Sequence, residues 1–399
     1  MYDIIRRCVA TKDTKNTKAF KKDRKPCRDV KIVFYTREGA GQAGAEFRSY
    51  ALCRELRQKG LEAEVLSFQD FHFVRPRFPG WLNKTAVNVK VFLKLMKLRP
   101  GVLVLQRINH HFPAAFLYFL VKRPRLILDV DDWESREDMH IGFSGMSNSI
   151  SDMVLKIVCR FAECTVVSSR FLFEYLTPYS KRITLIPSGI DDTRFYFERK
   201  PLPLMRFVWC GSLDRKDTLE EILHLTSRFH QAALKTLELL LIARGLFVSD
   251  LSRHLRSLGN SSIKLMSHVL YSRIPILLQT CQAGLLPLFS PTCFNRAKSP
   301  VKLFEYMASG LIPVTTYIGE AAEIITASSG FAVSDSKEMI QTMNDISSMN
   351  IEVIESMIRK NREMVRSRFS LLQVGQSWET LLKNGGNSLD QVILTGVST

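Results

Sequence analysis

Three places in this chain combine residue types able to hold or move charge. The first is "KSPVKLFEYMASGLIPV", residues 298–314, where Glu305 sits in an otherwise apolar run behind Lys298 and Lys302. An ionised carboxylate has only acceptors, so Glu305, if its face lines a cleft, suits a ligand that offers hydroxyl donors. The two lysines flank a helix start, where free N–H groups favour a phosphate. The second place is a pair of glycine-bearing turns, each directly after a strand. One is "REGAGQAGAE" (37–46), with Gly41 and Gly44; the other is "CGSLDRKD" (210–217), with Gly211, Ser212, Arg215 and Lys216. Glycines there let backbone N–H groups approach a phosphate, and the two cations could meet a pyrophosphate. Neither turn is the G-x-G-x-x-G dinucleotide fingerprint. The third place is the acidic "LDVDDWESRED" (128–138), with His110, His111 and Arg107 after the strand "GVLVLQR" (101–107).

Each place also has a bland reading. Glu305 could pair with Lys302 at a wet edge, and Arg215 and Lys216 could be solvated loop charges. Asp129, Asp131 and Asp132 could cap a helix, and histidines are at home in a polar loop.

The elements that must position these residues follow from periodicity. Ser299 is a good N-cap, Pro300 suits the first helical position, and Gly310 suits a helix stop. "LIPVTT" (311–316) reads as a short buried strand, with Pro313 arguing for an edge. On the helix between them, Val301 and Ala308 share the face of Glu305. From Val30 onward, short apolar strands alternate with amphipathic helices: strands at 30–36, 61–68, 101–107, 125–132, 164–169 and 183–190, helices at 45–60, 113–122 and 170–177. After a charged, proline-bearing linker at 191–204 the pattern restarts, with strands at 205–212, 236–244, 262–268 and 283–289 and helices at 218–233 and 249–258. Alternating strands and helices imply βαβ units and a mostly parallel sheet. The expected fold is α/β, two Rossmann-like domains facing across a cleft, with ligands at the carboxyl ends of the strands. The expected divisions are a basic tail at 1–29, a first domain at 30–190, the linker, a second domain at 205–366 and a terminal helix with tail at 367–399.

The bulk numbers agree with a two-domain globular chain: 399 residues, 46% hydrophobic and 24% charged. No apolar run approaches the ~20 residues that span a bilayer, and the N-terminus has no apolar signal region. Eight scattered cysteines without a CxxC pair read as reduced thiols, and no metal spacing is visible. A cytoplasmic protein is expected. The formal net charge is +17, and residues 1–31 carry eleven Lys/Arg against four Asp. That segment is polar and unpatterned, which predicts disorder, and its charge favours an anionic partner.

Taken together, "GQAGAEFRSYALCRELRQKGLEAEVLSF", "IPSGIDDTRF", "FVWCGSLDRK" and "LLPLFSPTCFNRAKSPVKLFEYMASGLIPVTT", in that order, resemble the retaining nucleotide-sugar glycosyltransferases of family 4 (group 1). The resemblance spans about 31–330, and "RFSLLQVGQSWETLLKN" (368–384) looks like the terminal helix that crosses back onto the first domain. It implies the B fold of glycosyltransferases, known as GT-B. It also implies Glu305 on the donor's ribose, Lys298 or Lys302 near the pyrophosphate, and Gly41 and Gly44 approaching the phosphates when the cleft closes. Asp131 falls roughly where many relatives place a histidine near the sugar and acceptor, so Asp131, His110 and His111 are the catalytic candidates. D-x-D also occurs in haloacid-dehalogenase-type phosphatases and manganese-dependent A-fold glycosyltransferases. Trp133 and the distance from the chain start speak against the first, and the two-domain layout against the second.

Two positions depart from the family. Ala297 stands where a glutamate is common, and Ser212 stands where an arginine often follows the glycine. The implied activity is transfer of a sugar from a nucleotide diphosphate donor to a glycan or lipid-linked hydroxyl, with retention and without a metal or cofactor. The alternative is a nucleotide-sugar-binding protein of the same fold without transfer activity. The basic tail, with Phe71, Phe73, Phe78 and Trp81 in the loop 68–84, would rest on an anionic membrane. No specific nucleic-acid motif is present.

Overall fold

The computed structural model describes residues 30–40, 43–71, 80–106, 113–133, 145–198, 205–234 and 236–384. Gly41, Arg107, His110, His111, the loop residues Phe73 and Phe78 and the basic segment 1–29 lie outside the described residues.

Two six-stranded sheets carry the fold. The first holds β1 (Ile32–Thr36), β2 (Ala63–Ser67), β3 (Val102–Gln106), β4 (Arg125–Val130), β5 (Cys164–Val167) and β6 (Ile183–Leu185) in the order β2-β1-β3-β4-β5-β6. The second holds β7 (Met205–Ser212), β8 (Leu237–Arg244), β9 (Ile263–Ser267), β10 (Ala283–Leu286), β11 (Ile312–Thr316) and β12 (Phe331–Val333) in the order β12-β11-β10-β7-β8-β9. Every pairing in both sheets is parallel. The strand order reverses between β1 and β3 in one sheet and between β7 and β10 in the other. These are the switch points where open parallel sheets leave a crevice for ligands.

The strands are apolar on both faces because helices cover both. In the first sheet Val33, Leu103 and Leu128 enter one core cluster, while Ile32, Phe34, Val102, Val104 and Ile127 enter the other. The second of these is completed from the far end of the chain. The helix Leu371–Asn384 places Val374, Trp378, Leu381 and Leu382 on it, with Trp378 fully buried and 5.7 Å from the Phe34 ring. The chain end is thereby tied to the first domain.

In the second domain Val208, Cys210, Leu240 and Ile242 meet Leu303, Phe304, Tyr306 and Met307 of the helix Val301–Ala308. That helix lies close over β10 because Gly284 has no side chain; a Cβ there would sit 2.2 Å from the Tyr306 ring. The Tyr306 hydroxyl accepts from Cys210 N at 3.0 Å, which fixes the helix to β7 as well. Glu305, next in sequence, is set by that packing.

Three local expectations change. Ser299 does not cap this helix: its hydroxyl accepts from Ser188 N at 3.2 Å, across the domain boundary, and Pro300 occupies the cap position without a side-chain bond. β11 is not an edge strand, since it lies between β10 and β12. Pro313 is tolerated because β12 pairs only from Val314 onward, leaving no ladder partner in need of its missing N–H. Glu305 pairs with a tyrosine and not with Lys302. Gly310 does end the helix, at φ 76°.

Candidate functional site

The switch points of the two sheets face one cleft of about 330 Å³. Gly44, Phe47 and Arg48 reach it from the segment after β1, and Asp131 and Asp132 from the end of β4. Gly211 and Ser212 come from β7, Ala243 and Arg244 from β8, and Leu286 and Leu288 from β10 and beyond. Lys298, Lys302 and Glu305 come from the helix Val301–Ala308 and the turn before it.

Glu305 is 3% exposed, the middle of a helix whose other residues fill the core. Burial pushes its carboxyl above the usual carboxylate range, against the pull of Lys302, the Tyr271 hydroxyl, Arg194 and Arg244. Tyr271, from the short segment after β9, donates to Glu305 Oε1 at 2.9 Å. Its ring lies under the Arg194 guanidinium at 4.6 Å and edge-on to Phe47 of the first domain at 5.6 Å. The carboxylate is thus held with acceptor capacity facing a cleft, which suits hydroxyl donors.

Lys298 is half-buried at the other side of the helix start. Its ammonium donates to Asn295 Oδ1 at 3.0 Å and lies 4.3 Å from the centre of the Phe294 ring. Asn295 in turn donates to Ser290 O at 2.9 Å and approaches Glu221 Oε1, which accepts from Ser290 N at 3.0 Å. Burial pulls the Lys298 pKa below its ordinary value, while Asp132 across the cleft and Glu221 oppose this. An ammonium at this position, opposite the cleft from Asp132, can meet phosphate oxygens.

Arg215 and Lys216 do not line the cleft. The Arg215 guanidinium is committed to Asp217, with Nε to Oδ1 at 3.0 Å and Nη2 to Oδ2 at 2.6 Å, and it stacks 4.0 Å from Phe294. Burial works against ionisation of Asp217, but Arg215 outweighs it and holds the carboxyl below its usual range. Ser212 is bonded to Asp214. Gly211 packs tightly on Trp209, where a Cβ would lie 2.2 Å from the ring.

In the first domain Asp131 is 7% exposed, and its carbonyl accepts from the Ser168 hydroxyl at 2.9 Å. Below it lies an ion pair that the sequence reading missed. Arg48 Nε donates to Asp129 Oδ2 at 3.2 Å, a second guanidinium nitrogen bonds Oδ1, and Nη1 donates to Ile186 O at 2.7 Å. Arg48 is 2% exposed and Asp129 0%. The sequence signal was an arginine four residues before Leu52 on an otherwise apolar helix face. For Tyr271 there was none.

Other contacts join the domains beside the cleft. Arg170 N donates to Glu320 Oε2 at 2.9 Å, and Arg170 Nε lies 3.0 Å from Glu323. Ala297 is fully buried and packs into the first domain's core, so it presents no polar group. Among the described residues, no group of three or more His, Cys, Asp and Glu converges at metal-ligand spacing.

Residues 205–349 match the family described as glycosyl transferases group 1. The matched stretch covers most of the second domain, from β7 through β12 and the helix that follows it. A comparison with curated proteins gives no match. Among solved structures, the chain is similar to Anabaena HepE in complex with UDP and glucose, at 15% identity and TM-score 0.67, over 88% of this chain and 99% of that one. It is similar to sucrose-phosphate synthase from Thermosynechococcus elongatus at 13% identity and TM-score 0.70, over 89% and 98%. A glycosyltransferase from Rickettsia africae gives 13% identity and TM-score 0.66, over 90% and 100%. The two parallel six-stranded sheets and this likeness make the fold GT-B. Within that fold, Glu305 and Lys298 lie in the stretch that matches the group 1 family, and Gly44, Arg48 and Asp131 face them from the other domain.

Proposed function

We propose that this protein transfers a sugar from a nucleotide diphosphate donor to a hydroxyl acceptor, with retention of configuration. The observation that carries the reading is the buried Glu305 carboxylate at the cleft, aligned by Tyr271 and preceded by Lys298 and Lys302 in a group 1 domain. Glu305 would accept from the ribose hydroxyls. Lys298 and Lys302 would sit against the diphosphate, where cationic groups offset the charge that builds on a departing phosphate. Gly44, at the start of the helical segment after β1, would let backbone N–H groups approach the same phosphates. Asp131 faces the cleft from the first domain and would contact the sugar or orient the acceptor. The complexes of HepE with UDP and glucose, and with UDP-glucose, favour a uridine donor. The acceptor would be a glycan or a lipid-linked glycan.

A second reading has one observation in its favour. Ala297 is buried in the core and offers no group to a sugar, which suits a protein that binds the donor without turning it over.

The deciding experiment is thermal stability with UDP, GDP, ADP and their sugar conjugates, for the wild type and Glu305→Ala. A shift with one nucleotide that disappears in the variant supports the site and names the base. No shift with any of them would make Glu305 a structural residue. Release of UDP from the matching conjugate in the presence of acceptor then separates transfer from binding alone.

A further inference from the structure

The first domain carries a surface that the cleft does not use. Between Asp70 and Asp129 the chain has no acidic residue, yet it has eleven Lys/Arg. The helix Gly80–Leu98 lies in this stretch and bears Lys84, Lys90, Lys94 and Lys97. Its outward positions recur at helical spacing and are mostly apolar: Leu82, Ala86, Val89 and Leu93, with Val89 53% and Leu93 61% exposed. The helix Ala114–Lys122 lies alongside it, since Ala114 N donates to Asn88 Oδ1 at 3.2 Å and Tyr118 meets Phe92 at 6.3 Å. That neighbour adds exposed Leu117 and Val121, followed by Lys122 and Arg123.

A solvated helix face normally alternates both signs of charge and hides its leucines. This one shows mostly apolar residues, and its charged residues are cations without an acidic one. An apolar stripe is of no use to a nucleic acid, and a second copy of the same face would bring lysines against lysines. A layer of anionic headgroups over hydrocarbon satisfies both features at once. Neither helix is long and apolar enough to cross a membrane, so the fit is to the interface.

We infer that the outward face of the helices Gly80–Leu98 and Ala114–Lys122 docks this protein on an anionic lipid surface. The placement has a consequence for the cleft. Each helix follows a strand of the parallel sheet in sequence, β2 for one and β3 for the other, so its first residues lie toward the carboxyl edge of the sheet, where the cleft also lies. A docked protein would hold the cleft mouth close to hydroxyls carried by the bilayer. The docking itself does not depend on the proposed transfer reaction.

The test is co-sedimentation of the full chain with vesicles of phosphatidylcholine alone or mixed with phosphatidylglycerol. The variants are Val89→Glu with Leu93→Glu, Leu117→Ser with Val121→Ser, and a full chain whose Lys12, Lys15, Lys18, Lys21 and Lys22 are changed to glutamine. Melting curves confirm that each variant is folded. The expected result is binding that needs phosphatidylglycerol and falls about tenfold or more in each helix pair, with melting unchanged. The tail variant should bind more weakly while keeping its dependence on Val89 and Leu93. Binding that survives both helix pairs and disappears in the tail variant would overturn the inference, as would no binding to either vesicle. So would a dimer in sedimentation equilibrium that the helix variants dissociate, with no vesicle binding.

Discussion

Tyr271 and Glu305, thirty-four positions apart, meet through one hydrogen bond of 2.9 Å at the floor of the cleft. The tyrosine comes from a connection after β9 and the glutamate from the helix Val301–Ala308, most of whose residues are buried. Phe47 closes on the same ring from the first domain, so the carboxylate, its donor and the domain boundary form one packed unit.

Tyr271→Phe keeps that ring contact and removes the donor. The hydrogen bond favours the ionised carboxylate, so its loss moves an already raised pKa further up. Binding of UDP, if it uses the ionised form, should weaken as pH falls, and the variant's limb should lie at higher pH than the wild type's. Calorimetric titration at a series of pH values upward from the ordinary carboxylate range checks this. An unchanged limb would reduce Tyr271 to a packing residue.

Glu305→Gln should separate stability from binding. A carboxyl whose folded pKa lies above its unfolded value contributes stability below the unfolded value and loses it as pH rises through the folded one. Burial raises the Glu305 pKa, so at neutral pH its ionised form is a burden on the fold. The variant should therefore unfold at equal or higher temperature near pH 7 and show a smaller decline as pH rises, while losing affinity for nucleotide. A fall in melting temperature at pH 7 would argue against a functional placement of the charge.

Arg48→Met tests the buried ion pair beneath Asp131. Removing one partner leaves Asp129 charged and fully buried, which costs about 3–5 kcal/mol. Chemical denaturation should show a loss of that order. Arg48→Met combined with Asp129→Asn should recover part of it. Equal losses in the single and double variants would mean that the cost lies in packing.

Lys298→Ala and Arg215→Ala should differ, although both residues are cations near the start of a helix. Lys298 lines the cleft, whereas Arg215 is held by Asp217 and stacked on Phe294. Lys298→Ala should weaken nucleotide diphosphate binding about tenfold, a typical value for one charge-assisted contact, with little effect on the nucleoside. Arg215→Ala should leave both affinities within about twofold. The reverse ranking would move the phosphate site to the β7 turn.

Much of this was legible in the chain because it rests on local rules. Strands β1, β3, β4 and β7 each contain a run of three or four consecutive apolar residues, and Gly310 marks the end of its helix. The odd carboxylate in "KLFEYMASG" stands out for the same reason: an apolar helix face has no use for it. Other features were masked by sequences that fit two outcomes. Ser299 has the form of a cap, and Pro313 that of an edge residue, until the neighbours are known. Ser299 instead bonds Ser188 of the other domain, and Pro313 lies where the adjoining strand has not yet begun to pair.

The sequence by itself determined the alternation of strands and helices, the division into two α/β halves and the candidacy of Glu305, since these depend on side-chain periodicity and on a single residue out of pattern, while the family resemblance added Lys298 and Lys302. Tertiary structure alone decided which donor holds Glu305, that Arg48 pairs with Asp129, and that Arg215 is withdrawn from the cleft. Those contacts join residues many positions apart. Their partners are chosen by packing of elements across two sheets, and no short stretch of chain carries that choice.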